Sequence, residues 1–196
     1  MRESLAAYPS TKGSKALRES ISTWLKTRFQ LEVNSETEIL PVNGTREALF
    51  SFAQAVISDK ISPIVIMPNP FYQIYEGAAL LAGASTFFCS SFETNQYQQD
   101  FESVPPETWK KTELIYICSP ANPTGKSLTD EQIKKLISLA QQYDFIIASD
   151  ECYSEIYIDN ESKPTSLLKI SDDIGNKAFE KCIAVSYTHL TLPTNA

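Results

Sequence analysis

The sequence predicts an α/β fold, a mainly parallel sheet with helices on both faces. Two observations carry this. Short apolar runs at 64–67, 114–118 and 145–148 read as strands buried on both faces. Between them lie longer stretches whose apolar residues recur every three or four positions, the period of an amphipathic helix. Strands that alternate with helices imply parallel strands joined by helical crossovers.

In chain order, Leu17, Ile21, Trp24 and Leu25, with Arg28 beside them, share one face of a helix from about Ser14 to Phe29. Ile39-Leu40-Pro41-Val42 is expected as a strand leading into Asn43-Gly44-Thr45-Arg46, which opens a helix through Ala48, Leu49, Phe52 and Val56. Ile64-Val65-Ile66-Met67 is a buried strand closed by Pro68-Asn69-Pro70. A helix from Tyr72 to Leu81 stops at Gly83, which tolerates the left-handed backbone of a helix end. Thr86-Phe87-Phe88-Cys89 is the next strand, and Ser90 to Lys111 is expected to be polar and irregular. After the strand at Leu114, Thr129 and Gln132 form a capping box, and Ile133, Leu136, Ile137 and Ala140 make the buried face of a helix. Phe145-Ile146-Ile147-Ala148 is a strand, 160–177 a surface excursion, and Cys182-Ile183-Ala184 begins a last strand.

The 196 residues, 42% hydrophobic and 21% charged, suit one globular domain with a real core. No repeat or linker is evident. A net charge of -7 without basic clusters argues against nucleic-acid partners. No apolar run is long enough to span a bilayer and no signal-peptide pattern opens the chain, so no membrane partner is expected. Cys89, Cys118, Cys152 and Cys182 are scattered without a CxxC pair. That predicts reduced thiols, a cytoplasmic location and no metal site. Cys152 lies inside a polar motif, but the only histidine is His189 and no activating base is evident. A catalytic cysteine is therefore disfavoured.

Two strands each deliver a polar cluster at a carboxyl end, where open α/β sheets bind ligands. The clusters are Ser119-Pro120-Ala121-Asn122-Pro123-Thr124-Gly125-Lys126 and Ser149-Asp150-Glu151-Cys152-Tyr153. Asn122, Asp150 and Tyr153 are placed to converge on one polar aromatic ligand. A carboxylate such as Asp150 favours a protonated ring nitrogen beside it, although a lone aspartate at a strand end more commonly caps a loop. The Asn122 amide and Tyr153 hydroxyl can both donate hydrogen bonds to such a ligand. The helix start at Asn43-Gly44-Thr45-Arg46 suits a phosphate, through backbone N–H groups, close approach at Gly44 and the Thr45 hydroxyl. Many helices begin this way merely as a cap. In Pro70-Phe71-Tyr72-Gln73-Ile74-Tyr75 an aromatic ring is available to stack on a ligand, and a core role suits either ring equally.

The order of these segments resembles that of the class I aminotransferases, which use pyridoxal phosphate. Asn-Pro-Thr-Gly is followed roughly twenty-five residues later by Asp-x-x-Tyr, each after a strand. Upstream lie the Gly-Thr helix start, the Pro-Phe-Tyr segment, and Tyr8-Pro9-Ser10-Thr11-Lys12-Gly13 with Leu17-Arg18. The resemblance implies the large domain of the fold-type I architecture, around a mainly parallel seven-stranded sheet. It implies that Gly44, Thr45 and Arg46 belong to a phosphate site and that Tyr72 stacks on the cofactor ring. Asn122 and Tyr153 would reach the phenolic oxygen, with Asn122 also near the substrate carboxylate. Asp150 would face the pyridine nitrogen, and Tyr8 would touch the phosphate in the neighbouring subunit of a homodimer. Small amino and keto acids are the implied substrates. The texture of the Tyr-Pro-Ser-Thr-Lys-Gly, Asn-Gly-Thr-Arg-Glu-Ala-Leu-Phe and Pro-Asn-Pro-Phe-Tyr-Gln-Ile-Tyr segments is similar to that of bacterial succinyldiaminopimelate aminotransferases, which implies a glutamate donor and N-succinyl-2-amino-6-ketopimelate as acceptor, in lysine biosynthesis.

One departure stands against the match. The family's cofactor-linking lysine sits in a Ser-x-x-Lys segment on the strand after Asp-x-x-Tyr, and no such segment follows Cys182-Ile183-Ala184. Lys177 and Lys181 precede that strand. From Ser186 to Thr194 the residues are similar to translated adapter DNA of sequencing libraries. The expected organisation is a partial large domain over 1–184 and a non-native tail over 185–196, with no catalytic residue of its own and no transamination. The first residues resemble a segment that family members carry well inside the chain. A cofactor-binding regulatory domain of a transcription factor is the alternative. A nucleotide-binding α/β domain ranks last, because no GxGxxG or GxxxxGK[ST] is present.

Overall fold

In the computed structural model, which describes residue 8 and residues 10–58, 61–159 and 162–187, the chain divides into two units, Met1–Gly44 and Thr45–Ala196.

The first unit holds α1 (Lys15–Phe29), capped by the Ser14 hydroxyl, which accepts the Leu17 N–H. Lys26 and Arg28 in its last turn complement the helix dipole. The helix forms as expected, but its apolar face is not a core face. Leu17 and Trp24 remain 39% and 37% exposed, and only Arg18 and Phe29 are buried. So short a unit has too little chain to cover that face. Its hub is Arg18, whose guanidinium donates to the carbonyls of Lys12, Gly13 and Ser35 and pairs with Glu36 at 3.0 Å. Gly13 has φ 68°, and a Cβ there would lie 2.9 Å from Pro41. Residues 39–42 do not form the expected strand. Pro41 lacks an N–H, and the described residues offer no pairing strand.

The second unit runs α2 (Thr45–Val56), β1 (Ile64–Asn69), α3 (Gln73–Leu81), β2 (Ser85–Ser90), α4 (Pro106–Trp109), β3 (Thr112–Cys118), α5 (Asp130–Tyr143), β4 (Ile146–Asp150), α6 (Leu167–Asp173) and β5 (Cys182–Val185). Among the described residues the strands form one parallel sheet in the order β2-β1-β3-β4-β5. Side chains alternate across β3. Leu114 and Tyr116 join a core with Leu49 and Tyr75 from α2 and α3, while Ile115 and Ile117 join one with Leu136 and Ile137 from α5. The two helical layers therefore lie on opposite faces.

Two segments are less irregular than expected. Phe101, Val104 and Trp109, from the polar stretch 90–111, are buried in the α5-side core, and Trp109 stacks on Phe145 at 5.5 Å. The stretch 160–177 contains α6, which buries Leu167 and Ile170. Val185 is the last residue of β5 and pairs with Asp150, while 188–196 lie outside the described residues.

The capping box at α5 is present with both bonds, Thr129 Oγ1 accepting from Gln132 N–H at 3.2 Å and Gln132 Oε1 from Thr129 N–H at 2.9 Å. Thr129→Ala is expected to lower unfolding free energy by about 1 kcal/mol. Urea unfolding checks this as a lower midpoint at unchanged slope.

Candidate functional site

The candidate residues follow strands at the point where the sheet changes direction. The chain leaves β1 for β2 on one side and returns to β3 on the other. The helices after β1 and β3, α3 and α5, pack on opposite faces. In open α/β sheets, ligands bind outside the strand carboxyl ends at such a point. Tyr72 follows β1, Asn122 follows β3, and Asp150 ends β4.

Cys118 pairs with Asp150, and Asp150 with Val185. Along β4, Ile147 faces the α5 core and Ala148 the α2–α3 core. Strand alternation therefore sends Asp150 toward α3 and Glu151 toward α6. Asp150 is 6% exposed. Its Oδ2 accepts the Tyr75 hydroxyl at 2.6 Å and its Oδ1 the Cys152 N–H at 3.3 Å. Tyr75 is 1% exposed and stacks on Tyr116 at 4.6 Å. The Tyr116 hydroxyl donates to the Leu49 carbonyl at 2.7 Å. Burial, and next the Asp150 charge, push the Tyr75 phenol far above its ordinary range. Tyr75 thus keeps its proton and donates it to Asp150 Oδ2, while Oδ1 accepts from the backbone.

The loop after β3 is closed by Gly125 N–H to the Ala121 carbonyl at 2.7 Å and Ala121 N–H to the Lys126 carbonyl at 2.9 Å. The first bond needs the left-handed backbone of Gly125, φ 69°. This presents Asn122, whose Nδ2 donates to the Tyr153 hydroxyl at 3.2 Å. Asn122 and Tyr153 therefore meet, at the same end of the sheet as Asp150.

At the start of α2, Thr45 is buried, and its hydroxyl is one of the groups that act on the Cys152 thiol. Arg46 Nε donates to the Tyr72 hydroxyl at 2.6 Å, with the guanidinium 5.8 Å from the ring centroid. Tyr72 meets Tyr75 edge to face at 5.9 Å. The first N–H groups of any helix lack intrahelical partners, so the start of α2 offers donors beside a cation. Gly44 immediately precedes α2 in the chain, and it and the exposed Tyr8 belong to the first unit.

Cys152 is buried, and burial followed by the Asp150 charge pushes its thiol up, so it holds its proton. His189 lies outside the described residues. Ser166-Leu167-Leu168-Lys169 also has Ser-x-x-Lys spacing, but it opens α6 ahead of β5, and Lys169 pairs with Asp173.

Two contributors were not assigned from sequence. Tyr75 falls three residues after Tyr72, on the same helical face, and that spacing was its signal. Glu151 sits beside Asp150, and strand alternation alone separates the two. Glu151 is buried with Oε1 accepting the Leu167 N–H at 2.9 Å. Burial raises its carboxyl from an ordinary 4.5 to about 7, against the lowering effect of that bond and of the Ser166 and Ser149 hydroxyls. A raised pKa in the fold means the protonated form is favoured there. Its contribution to stability is complete below the unfolded value and is lost as pH rises through about 7. Between about pH 4.5 and 7 the chain is expected to lose stability relative to Glu151→Gln, which does not titrate. Denaturation at each pH measures the widening gap.

A family model described as aminotransferase class I and II matches residues 1–188. An LL-diaminopimelate aminotransferase of Aquifex aeolicus is 36% identical over 163 residues, 83% of this chain and 41% of that protein. Another, of Nitratidesulfovibrio vulgaris, is 31% identical over 87% of this chain and 45% of its own. Among solved structures, an aminotransferase from Neisseria meningitidis matches with a TM-score of 0.88 at 43% identity, over 95% of this chain and 48% of that one. Aminotransferase AspB from Helicobacter pylori matches at 0.86 and 35%, over 94% and 48%. The chain spans less than half the length of these relatives.

Proposed function

The chain belongs to the class I and II aminotransferases, and from that premise we propose that it forms part of an enzyme that transfers an amino group from glutamate to a keto acid. The observation that carries the reading is Asp150, a buried carboxylate held by Tyr75 at the carboxyl end of β4. The family's cofactor is pyridoxal phosphate, and the groups present fit it. Asp150 is an acceptor for a protonated ring nitrogen, Asn122 and Tyr153 supply an amide and a phenol for an anionic oxygen, and the start of α2 with Arg46 offers donors and charge for a phosphate. Gly44 and Tyr8 are assigned to that phosphate on the resemblance alone, Tyr8 from the partner subunit of a homodimer.

When bound, the cofactor supplies an electron-withdrawing ring and the carbon that accepts the amino group. The chain's own contribution is electrostatic. Asp150 holds a proton at a nitrogen placed against it, because separating that pair in a buried site is costly. Tyr75 keeps the carboxylate oriented. Tyr153 and Asn122 stabilise negative charge on an oxygen that lies within their reach. Tyr72, braced by Arg46, offers its ring face for stacking.

We further infer that the acceptor is N-succinyl-2-amino-6-ketopimelate. The support is the texture of three segments, beside relatives named as LL-diaminopimelate aminotransferases, and lysine biosynthesis is the pathway this reading implies. A cytoplasmic site of action is inferred from four free, largely buried cysteines. The test is an assay of a polypeptide that joins this chain to the remaining family length, with glutamate and a panel of keto acids. Preference for the succinylated acceptor supports the reading, and absence of transfer from glutamate to any acceptor contradicts it.

A further inference from the structure

We propose that Glu151 is a positioning residue, which anchors the turn carrying Tyr153 to β5 and α6 at once. What the turn is for rests on the cofactor reading above; the anchoring itself does not.

Tyr153 stands on a turn beyond β4, not on a strand, so something must hold that turn for its hydroxyl to stay 3.2 Å from Asn122 Nδ2. One residue makes most of the attachments. The Glu151 N–H donates to the Val185 carbonyl of β5 at 2.8 Å. Its carbonyl accepts the Ser154 N–H at 3.1 Å, closing the turn, and the Ser186 hydroxyl at 3.2 Å. Its carboxyl crosses to α6 and accepts the Leu167 N–H, sixteen residues further along the chain. The next residue donates its N–H to Asp150 Oδ1, so the same turn also holds the carboxylate.

The side chain has to reach, and it has to be an acceptor. Aspartate is one methylene short of the Leu167 N–H, whereas glutamine places a carbonyl oxygen at the same distance. A buried helix-start N–H left without its acceptor is costly, which makes the bond decisive for the turn. The groups facing the carboxyl are Asp150 and Ser149 from β4, and Ser166 and the Leu167 N–H from α6. β5 bonds the Glu151 backbone through the Val185 carbonyl. Its one titratable residue, Cys182, pairs with Ile147 at the strand's other end.

Hydrogen exchange on the 196-residue chain tests this, read in peptides covering 151–157 and 166–170. Pyridoxal phosphate affinity is measured alongside. Glu151→Asp is expected to speed exchange in both segments tenfold or more, on the order of a local opening made about 1.4 kcal/mol easier, and to weaken cofactor binding. Glu151→Gln should restore both. Corrected for intrinsic rates, wild-type exchange should rise as pH goes from about 4.5 to about 7 and level off above, while Glu151→Gln stays flat. The proposal is overturned by unchanged exchange in Glu151→Asp, by equal damage in Glu151→Gln, or by loosening confined to 166–170. If Glu151→Asp does not fold, the comparison of wild type with Glu151→Gln across pH decides. A wild-type chain that binds no cofactor but shows the expected exchange would refute the cofactor reading and leave the anchoring standing.

Discussion

Asp150→Asn, made in a polypeptide that joins this chain to a Ser-x-x-Lys strand and the remaining family length, is expected to lower turnover by about three orders of magnitude. That corresponds to about 4 kcal/mol of transition-state stabilisation. The asparagine keeps the shape and loses the charge, and only the charge favours a proton on the facing nitrogen. Tyr75→Phe should cost far less, about tenfold, because it removes one donor to Asp150 and leaves the carboxylate in place. Steady-state kinetics with glutamate separates the two, and the loss should fall on kcat more than on KM. An Asp150→Asn enzyme within tenfold of wild type would remove Asp150 from its proposed role.

A polypeptide of these 196 residues alone is expected to show no transaminase turnover and no absorbance of a lysine-linked cofactor. Nucleophilic catalysis by an amine needs that amine positioned at the reacting carbon. The lysines nearest in sequence are otherwise placed: Lys169 pairs with Asp173 on α6, Lys177 with Asp172 at 3.9 Å, and Lys181 with Asp144 at 2.6 Å. Adding the Ser-x-x-Lys strand and the remaining length should restore both signals. Turnover by the 196 residues, or borohydride trapping of the cofactor on Lys169 or Lys181 at a rate matching turnover, would overturn the assignment.

Local signals made much of the second unit readable from sequence. The Thr129–Gln132 box and the face of Ile133, Leu136, Ile137 and Ala140 specify α5 within fifteen residues, and the structure shows that face buried. The apolar run of β3 identified a strand buried along its whole length. Features that depend on distant partners were not readable. Residues 39–42 have a strand's composition without a strand's neighbour. Phe101, Val104 and Trp109 are isolated apolar residues in a polar stretch, without a period, and only packing against α5 and β4 gives them a place. α6 is seven residues long, and its capping Ser166 sits in a polar excursion. At the candidate site, Asn122, Asp150 and Tyr153 were found because each follows a strand. Tyr75 was passed over because its bond to Asp150 spans seventy-five residues. Glu151 was passed over because its partner N–H belongs to an unrecognised helix.

The central claim is that the carboxyl end of this sheet holds pyridoxal phosphate through Asp150. The most direct measurement is equilibrium titration of the 196-residue chain with pyridoxal phosphate, after borohydride controls for attachment to surface lysines, beside the Asp150→Asn and Arg46→Ala variants. The account predicts saturable binding at one site, weakened about tenfold or more by either substitution, since each removes a charge facing the ligand. Binding of equal strength in all three proteins would contradict it.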